Sequence, residues 1–231
     1  MPNTGTGSTR DRWTAVDGYY ADLTARHDAA LDAALASSTA AQLPDIQVSQ
    51  NQGKFLQVLA SALGARRILE IGTLGGYSTI WLARALPEGG SLVTLEYEPK
   101  HAAVASANIA RAGLSDVVEI KVGKAIETLP TLAQGEPFDL IFIDADKPST
   151  ADYFAWALKL SRRGTVIIVD NVVRDGAIAD EASTDQNVLG IRRFNQALAV
   201  EPRVTAAVMQ TVSSKGYDGF TTILVNDPLP V

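Results

Sequence analysis

Hydrophobic positions in this chain fall in short runs of five or six residues, separated by longer stretches that repeat with helical period. The runs are Arg67–Ile71, Ser91–Glu96, Val117–Val122, Phe138–Ile143, Thr165–Val169, Val204–Val208 and Phe220–Val225. Between them the pattern predicts helices over about Tyr77–Ala85, Pro99–Ala112, Ala125–Leu132, Ser149–Leu160 and Val188–Val200. Strands separated by helices of this length are βαβ units, which build a parallel sheet covered on both faces. The last two runs have only a loop, Gln210–Gly219, between them, which predicts an antiparallel hairpin at one edge. The fold class is therefore α/β, a doubly wound, mostly parallel seven-stranded sheet.

Upstream of the first strand, Asp11 to about Ala36 reads as one helix. Tyr19, Leu23, His27 and Leu31 recur every fourth residue, a stripe for packing on the main domain or on a second subunit. Pro44 ends the linker that follows. Gln50 to Leu63 reads as another amphipathic helix, with Phe55, Leu56, Leu59 and Leu63 on one side. Residues 1–10 are Gly/Ser/Thr-rich and read as a disordered tail. Residues 11–60 are then N-terminal helices, and 61–231 are the core of the same single domain.

Composition narrows the chemistry. The net charge of −6 offers no basic surface for nucleic acid or an anionic membrane. No apolar run approaches the roughly 20 residues that span a bilayer, and Met1 to Arg12 has no apolar segment of the secretory kind. With no cysteine, disulfides, thiolate metal sites and a cysteine nucleophile are excluded, and the cytoplasm is the expected setting. His27 and His101 lie in predicted helices without motif context and are expected at the surface. A base or metal ligand is to be sought among Asp, Glu, Asn and Lys.

Two segments carry such groups. The first strand runs into Gly72-Thr73-Leu74-Gly75-Gly76-Tyr77-Ser78, a glycine-bearing strand-to-helix turn whose helix N-terminus can meet an anion. About 20 residues past Gly75, Glu96 ends the second strand, where an acid accepts hydrogen bonds from ribose hydroxyls. The pair points to an adenosine-containing cofactor, against the blander alternative of a glycine turn with an unrelated acid. The pattern G-x-G-x-x-G, which brings backbone close to a pyrophosphate, is absent, so S-adenosylmethionine is favoured over a dinucleotide. The second segment is a pair of strand ends. Phe138–Ile143 runs into Asp144-Ala145-Asp146-Lys147, and Thr165–Val169 runs into Asp170-Asn171. If the first, fourth and fifth strands are neighbours, Asp144, Asp170 and Asn171 converge beside the glycine loop. Three hard oxygen donors suit Mg²⁺, with Mn²⁺ or Ca²⁺ as alternatives. Taken singly, each Asp is equally a strand-end or helix-cap residue.

These motifs, with Gln47-Val48-Ser49, Gly53-Lys54-Phe55-Leu56, Leu95-Glu96 and Gly216-Tyr217-Asp218-Gly219, resemble the cation-dependent O-methyltransferases, the group of caffeoyl-CoA and catechol O-methyltransferases, especially its small bacterial members. The resemblance spans about Leu43 to Val225 and implies a Rossmann-like class I methyltransferase domain that works as a homodimer. It implies that Asp144, Asp170 and Asn171 hold the cation and that Glu96 binds the ribose of S-adenosylmethionine. It places Val48, Glu70, Gly72 and Ser78 around the methionine part and Ala125 by the adenine, with Thr73, Gly76 and Asp144 also binding the cofactor. Lys147, with Asp144, becomes catalytic, the lysine taking the proton of a phenolic substrate. The chain departs from the family in having Lys124, Gln47 and Thr150 where Asp, Met and an aromatic residue are common. Two other readings share the glycine loop: a nicotinamide-dependent oxidoreductase, and an S-adenosylmethionine-binding protein without catalysis. The oxidoreductase has no use for the strand-end acids. The segments expected to choose the acceptor are the N-terminal helix, Val172–Asn187 and Gln210–Gly219. Arg174, Asp175 and Asn195 stand near the pocket on this reading, or on the solvated surface.

Overall fold

The computed structural model describes residues 8–227. Its core is a seven-stranded sheet of β1 (Arg67–Ile71), β2 (Ser91–Glu96), β3 (Val118–Val122), β4 (Phe138–Ile143), β5 (Ser161–Asp170), β6 (Val204–Ser213) and β7 (Gly216–Val225). The spatial order is β3-β2-β1-β4-β5-β7-β6. Strands β1 to β5 pair in parallel, and β7 runs antiparallel between β5 and β6. Order reverses between β1 and β4, so the crevice beside those strands' carboxyl ends is where a ligand is expected.

The helices are α1 (Thr9–Thr24), α2 (Ala29–Ala40), α3 (Gln50–Ala62), α4 (Tyr77–Ala83), α5 (Pro99–Arg111), α6 (Ala125–Thr128), α7 (Thr150–Lys159) and α8 (Gln186–Ala199). Alternation along each strand divides the core in two. Leu69 and Ile71 of β1 face a layer with Phe154 of α7 and Phe194 of α8. Ile68, one residue out of phase, packs with Leu56 of α3 and Trp81 of α4. Glu70 shares the phase of Ile68, so its carboxylate is carried into the α4 side of the sheet.

Five expectations are corrected. The predicted helix Asp11–Ala36 is two helices, broken at 25–28. Asp28 caps α2 by accepting from the Leu31 amide at 3.1 Å, and a cap stabilises a new helix start where a continuous helix would leave that amide to an ordinary bond. The four-residue stripe breaks with it: Leu31 is fully buried, whereas Tyr19 is 63% and Leu23 58% exposed. His27 belongs to the break, not to a helix or an open surface. Its ring meets the Tyr77 hydroxyl at 2.6 Å and Asp32 Oδ1 at 2.9 Å, tying the N-terminal helices to α4. On α3 the buried side is Gly53, Leu56 and Ala60, with Phe55 and Leu63 largely exposed; a Cβ on Gly53 would overlap the Trp81 ring, so the closest approach sets the face. Finally, Gln210–Gly219 is no loop. Strand pairing continues to Ser213↔Gly216, leaving Ser214 and Lys215 as the turn, and Gly216 supplies φ +118°. Of the expected tail, residues 1–7 lie outside the described residues. Ser8 caps α1, and Thr9 and Arg10 are already helical.

Candidate active site

One cavity of about 720 Å³ opens at the carboxyl ends of β1, β2, β4 and β5. Its walls include Val48, Gly72, Thr73, Ser78, Glu96, Ala125, Asp144, Lys147 and Asn171, which the sequence places in segments far apart. Glu70, Gly76 and Asp170 are not in the wall. Each stands one step behind it.

The β1 side is built from backbone and satisfied acids. Gly72 has φ +101°, and a Cβ there would lie 2.1 Å from the Asp144 carbonyl oxygen. Only glycine lets the β1 and β4 loops approach so closely. Gly76, at φ +81°, starts α4 against Ala105. Glu96 is 6% exposed. Its Oε2 accepts from the Thr73 and Leu74 amides at 3.2 and 2.7 Å, and its Oε1 accepts from the Glu98 amide at 2.9 Å. The acid thus pins the glycine loop through Oε2, while Oε1 keeps acceptor capacity toward the cavity. Glu70 is fully buried beneath the loop and accepts from Ser78 at 2.6 Å, Thr94 at 2.7 Å and Thr79 at 2.5 Å. Burial pushes its carboxyl up to about 7, partly opposed by those hydroxyls. Its service to the cavity is to orient Ser78.

The β4–β5 side is different. Ile143 pairs with Val169, so Asp144 and Asp170 leave adjacent strands at the same level, about 4.8 Å apart in the sheet. Asp170 is 4% exposed, accepting from Gln52 Nε2 at 2.6 Å and the Asn171 amide at 2.9 Å. Burial first, and the Asp144 charge second, push its carboxyl up to about 7. Asn171 adopts φ +58°, unusual outside glycine but open to asparagine. Lys147, 8% exposed, donates from Nζ to Asp144 at 2.9 Å.

Whether these residues fit a cation can be judged from the donor set. Among the described residues no place gathers three His, Cys, Asp or Glu side chains about one point. An ion at this edge would rest on two carboxylates and the Asn171 amide. The buried Asp170 carboxyl, raised by burial and by the Asp144 charge, forms with Asp144 and a neutral oxygen donor a hard set that a dication would relieve. The residues fit.

Several wall and support residues escaped the sequence reading. Gln52, which holds Asp170, sits in α3 next to the Gly53-Lys54-Phe55-Leu56 motif without being part of it. Asn108 is fully buried on α5 and donates to the Gly75 carbonyl at 2.8 Å. His101, expected at the surface, lines the cavity with Nδ1 3.4 Å from Glu96 Oε1. Arg174 is in the wall; Asn195 is not, and Asn187 from the same helix takes that place. A buried amide in a helix and a histidine five residues past a strand-end acid leave little trace in spacing alone.

The O-methyltransferase family model matches residues 22–223. This chain belongs to that family. It is therefore an O-methyltransferase, and the oxidoreductase alternative is set aside. It is 56% identical to the catechol O-methyltransferase of Niastella koreensis over 213 residues, covering 91% of this chain and 96% of that one. Among solved structures, the O-methyltransferase from Bacillus cereus in complex with SAH is 55% identical with a TM-score of 0.93, covering 94% of this chain and all of that one. The O-methyltransferase TomG from Streptomyces achromogenes, involved in tomaymycin synthesis and solved with SAM, is 50% identical with a TM-score of 0.92, covering 95% of this chain and all of that one. No described helix is long and apolar enough to cross a membrane.

Proposed function

We propose that this O-methyltransferase moves the methyl group of S-adenosylmethionine to one hydroxyl of a catechol, and that it does so with a divalent cation held by Asp144, Asp170 and Asn171. The observation that carries the reading is the meeting of Asp144, Asn171 and Lys147 with the glycine loop in one cavity, with Asp170 one step behind its wall. Relatives named for catechol, and a relative solved with SAM, support the acceptor and the donor.

Bound S-adenosylmethionine supplies an electrophilic methyl group, and a bound dication, Mg²⁺ in the first instance, supplies charge that favours an ionised acceptor oxygen. The chain's own residues do the rest. Glu96 receives the ribose of the nucleoside, Ser78 and Val48 border the methionine end, and Ala125 borders the base. Lys147 Nζ, enclosed at the acceptor side, takes the hydroxyl proton in its uncharged form, in which the nitrogen lone pair is free. The carbon–oxygen bond forms as the carbon–sulfur bond breaks, so the alignment of acceptor and donor across the β1–β4 crevice governs the rate. Acceptors are small phenolics, and neither nucleic acid nor membrane has a surface to meet.

The working form on this reading is a cytoplasmic homodimer. Val16, Tyr19, Tyr20 and Leu23 of α1 and Val208, Met209 and Val212 of the neighbouring β6 leave an exposed apolar face that supports it. A monomer in sedimentation would remove that part.

The decisive experiment is catechol methylation with and without chelator. EDTA should abolish turnover and Mg²⁺ or Mn²⁺ restore it. Full activity in EDTA would remove the cation.

A further inference from the structure

We propose that Arg174 selects acceptors bearing a ring carboxylate, so that the substrate is an acidic catechol; this rests on the catechol reading above. Arg174 lines the cavity three residues past Asn171. Chain reach keeps their Cα atoms within about 11 Å. It leaves β5, on the acceptor side, away from the glycine loop, Glu96 and Ala125.

Its guanidinium is unspent. Among the described residues it donates no side-chain hydrogen bond, and Nε is enclosed without a partner. Its ion pair is long, with Nη1 4.0 Å from Asp218 Oδ2. The other oxygen of Asp218 is committed to backbone, accepting from the Val173, Arg174 and Gly219 amides at 3.0, 3.0 and 2.9 Å. By contrast Arg192, on α8, donates to the Ile178, Asp180 and Glu181 carbonyls. A partly enclosed guanidinium with five donors and no acceptor is costly unless a ligand completes it.

The backbone argues the same way. Arg174 and Asp175 have φ +56° and +54°, values that side-chain-bearing residues seldom adopt. The three amide bonds to Asp218 hold the turn there, and strain of this kind concentrates at ligand sites. Nor do the other charges in the wall offer the same service. Asp144, Asp146 and Glu96 are acids, Lys147 is tied to Asp144, and the Lys124 side chain is 61% exposed and 3.5 Å from Glu127. Arg174 is the cation placed to meet an anion on the acceptor, and its planar fork matches a carboxylate.

The test compares 3,4-dihydroxybenzoate with 3,4-dihydroxybenzamide, which differ in charge and hardly in shape. Affinity for the SAH-saturated protein with Mg²⁺ is measured by calorimetry, and turnover is followed separately with S-adenosylmethionine. The wild type should bind the acid on the order of tenfold more tightly than the amide, as a charge-assisted pair implies. Arg174→Gln should erase that preference, and Arg174→Lys should restore part of it. An acid-to-amide ratio near one in the wild type, or a ratio unmoved by Arg174→Gln, overturns the proposal. Turnover of neither compound, with the binding preference intact, would instead overturn the catechol reading and leave the role of Arg174 standing.

Discussion

The two halves of the cavity hold similar numbers of acids with different neighbours. On the β1–β2 half, Glu96 and Glu70 each accept three hydrogen bonds from the protein itself. On the β4–β5 half, Asp170 is raised by burial and by Asp144, and Arg174 has no hydrogen-bonded partner for its side chain among the described residues. The first half is a finished mould, set before any ligand arrives. The second is an unfinished electrostatic set that ligands complete. Preorganised dipoles favour binding of one fixed shape, whereas uncompensated charge is held where a cation and an anionic group are to be met.

The largest effect should come from the unfinished half. Asp170→Ala removes a carboxylate from the proposed cation set, and kcat/KM for catechol should fall about 10³-fold or more, several kcal/mol of lost charge stabilisation. The melting temperature should change little or rise, because a buried acid opposed by Asp144 is also removed. A variant retaining over a tenth of the activity would show that both halves work without a cation. A comparable loss of melting temperature would show that Asp170 is structural.

The next effect belongs to the finished half and reads out as stability. The Glu70 carboxyl sits at about 7 in the fold against an ordinary 4.5. Its folded-state value is raised, so the stability it contributes is fully present below about 4.5 and is lost as pH rises through 7. The loss is on the order of 3 kcal/mol at alkaline pH. Ser78, Thr79 and Thr94 face the group directly, and Asp144 acts on it at longer range. Chemical denaturation of the wild type from pH 5 to 9 should show the decline, and Glu70→Gln should flatten it. Parallel curves would mean that the mould tolerates the charge.

How much of this contrast could be read from the chain follows the same division. The strands themselves and the placing of Asp144, Asp170 and Asn171 at their carboxyl ends were legible because apolar runs end in acids; that the first, fourth and fifth strands adjoin was only a condition, which the sheet order supplies. The reach of Glu70 was not. Its strand alternation assigns it a face, but nothing local says which face carries the cavity, and it proves to be a support for Ser78. The hairpin was misjudged at its tip because Thr211, Ser213 and Asp218 are polar on an exposed edge, where strand and loop have similar composition. The break at His27 was hidden by an alanine-rich helical background. What settles it is tertiary, the Tyr77 hydroxyl on α4.

The smallest expected effect separates mould from ligand site within one residue. Glu96 holds the Thr73, Leu74 and Glu98 amides and also lines the cavity, so its loss acts by two routes. If it receives the ribose hydroxyls, Glu96→Ala should weaken SAH binding by about 2 kcal/mol, roughly 30-fold, as expected for lost charge-assisted hydrogen bonds. Glu96→Gln keeps one acceptor oxygen and the side chain's volume, so it should hold part of the loop and recover part of the affinity. Calorimetry of both variants against melting temperature distinguishes the routes. A fall in melting temperature with unchanged SAH affinity would confine Glu96 to the loop. The finished half would then bind its ligand without a charged side chain, through Ser78, Val48 and their neighbours in the wall, and the contrast with the charged half would sharpen.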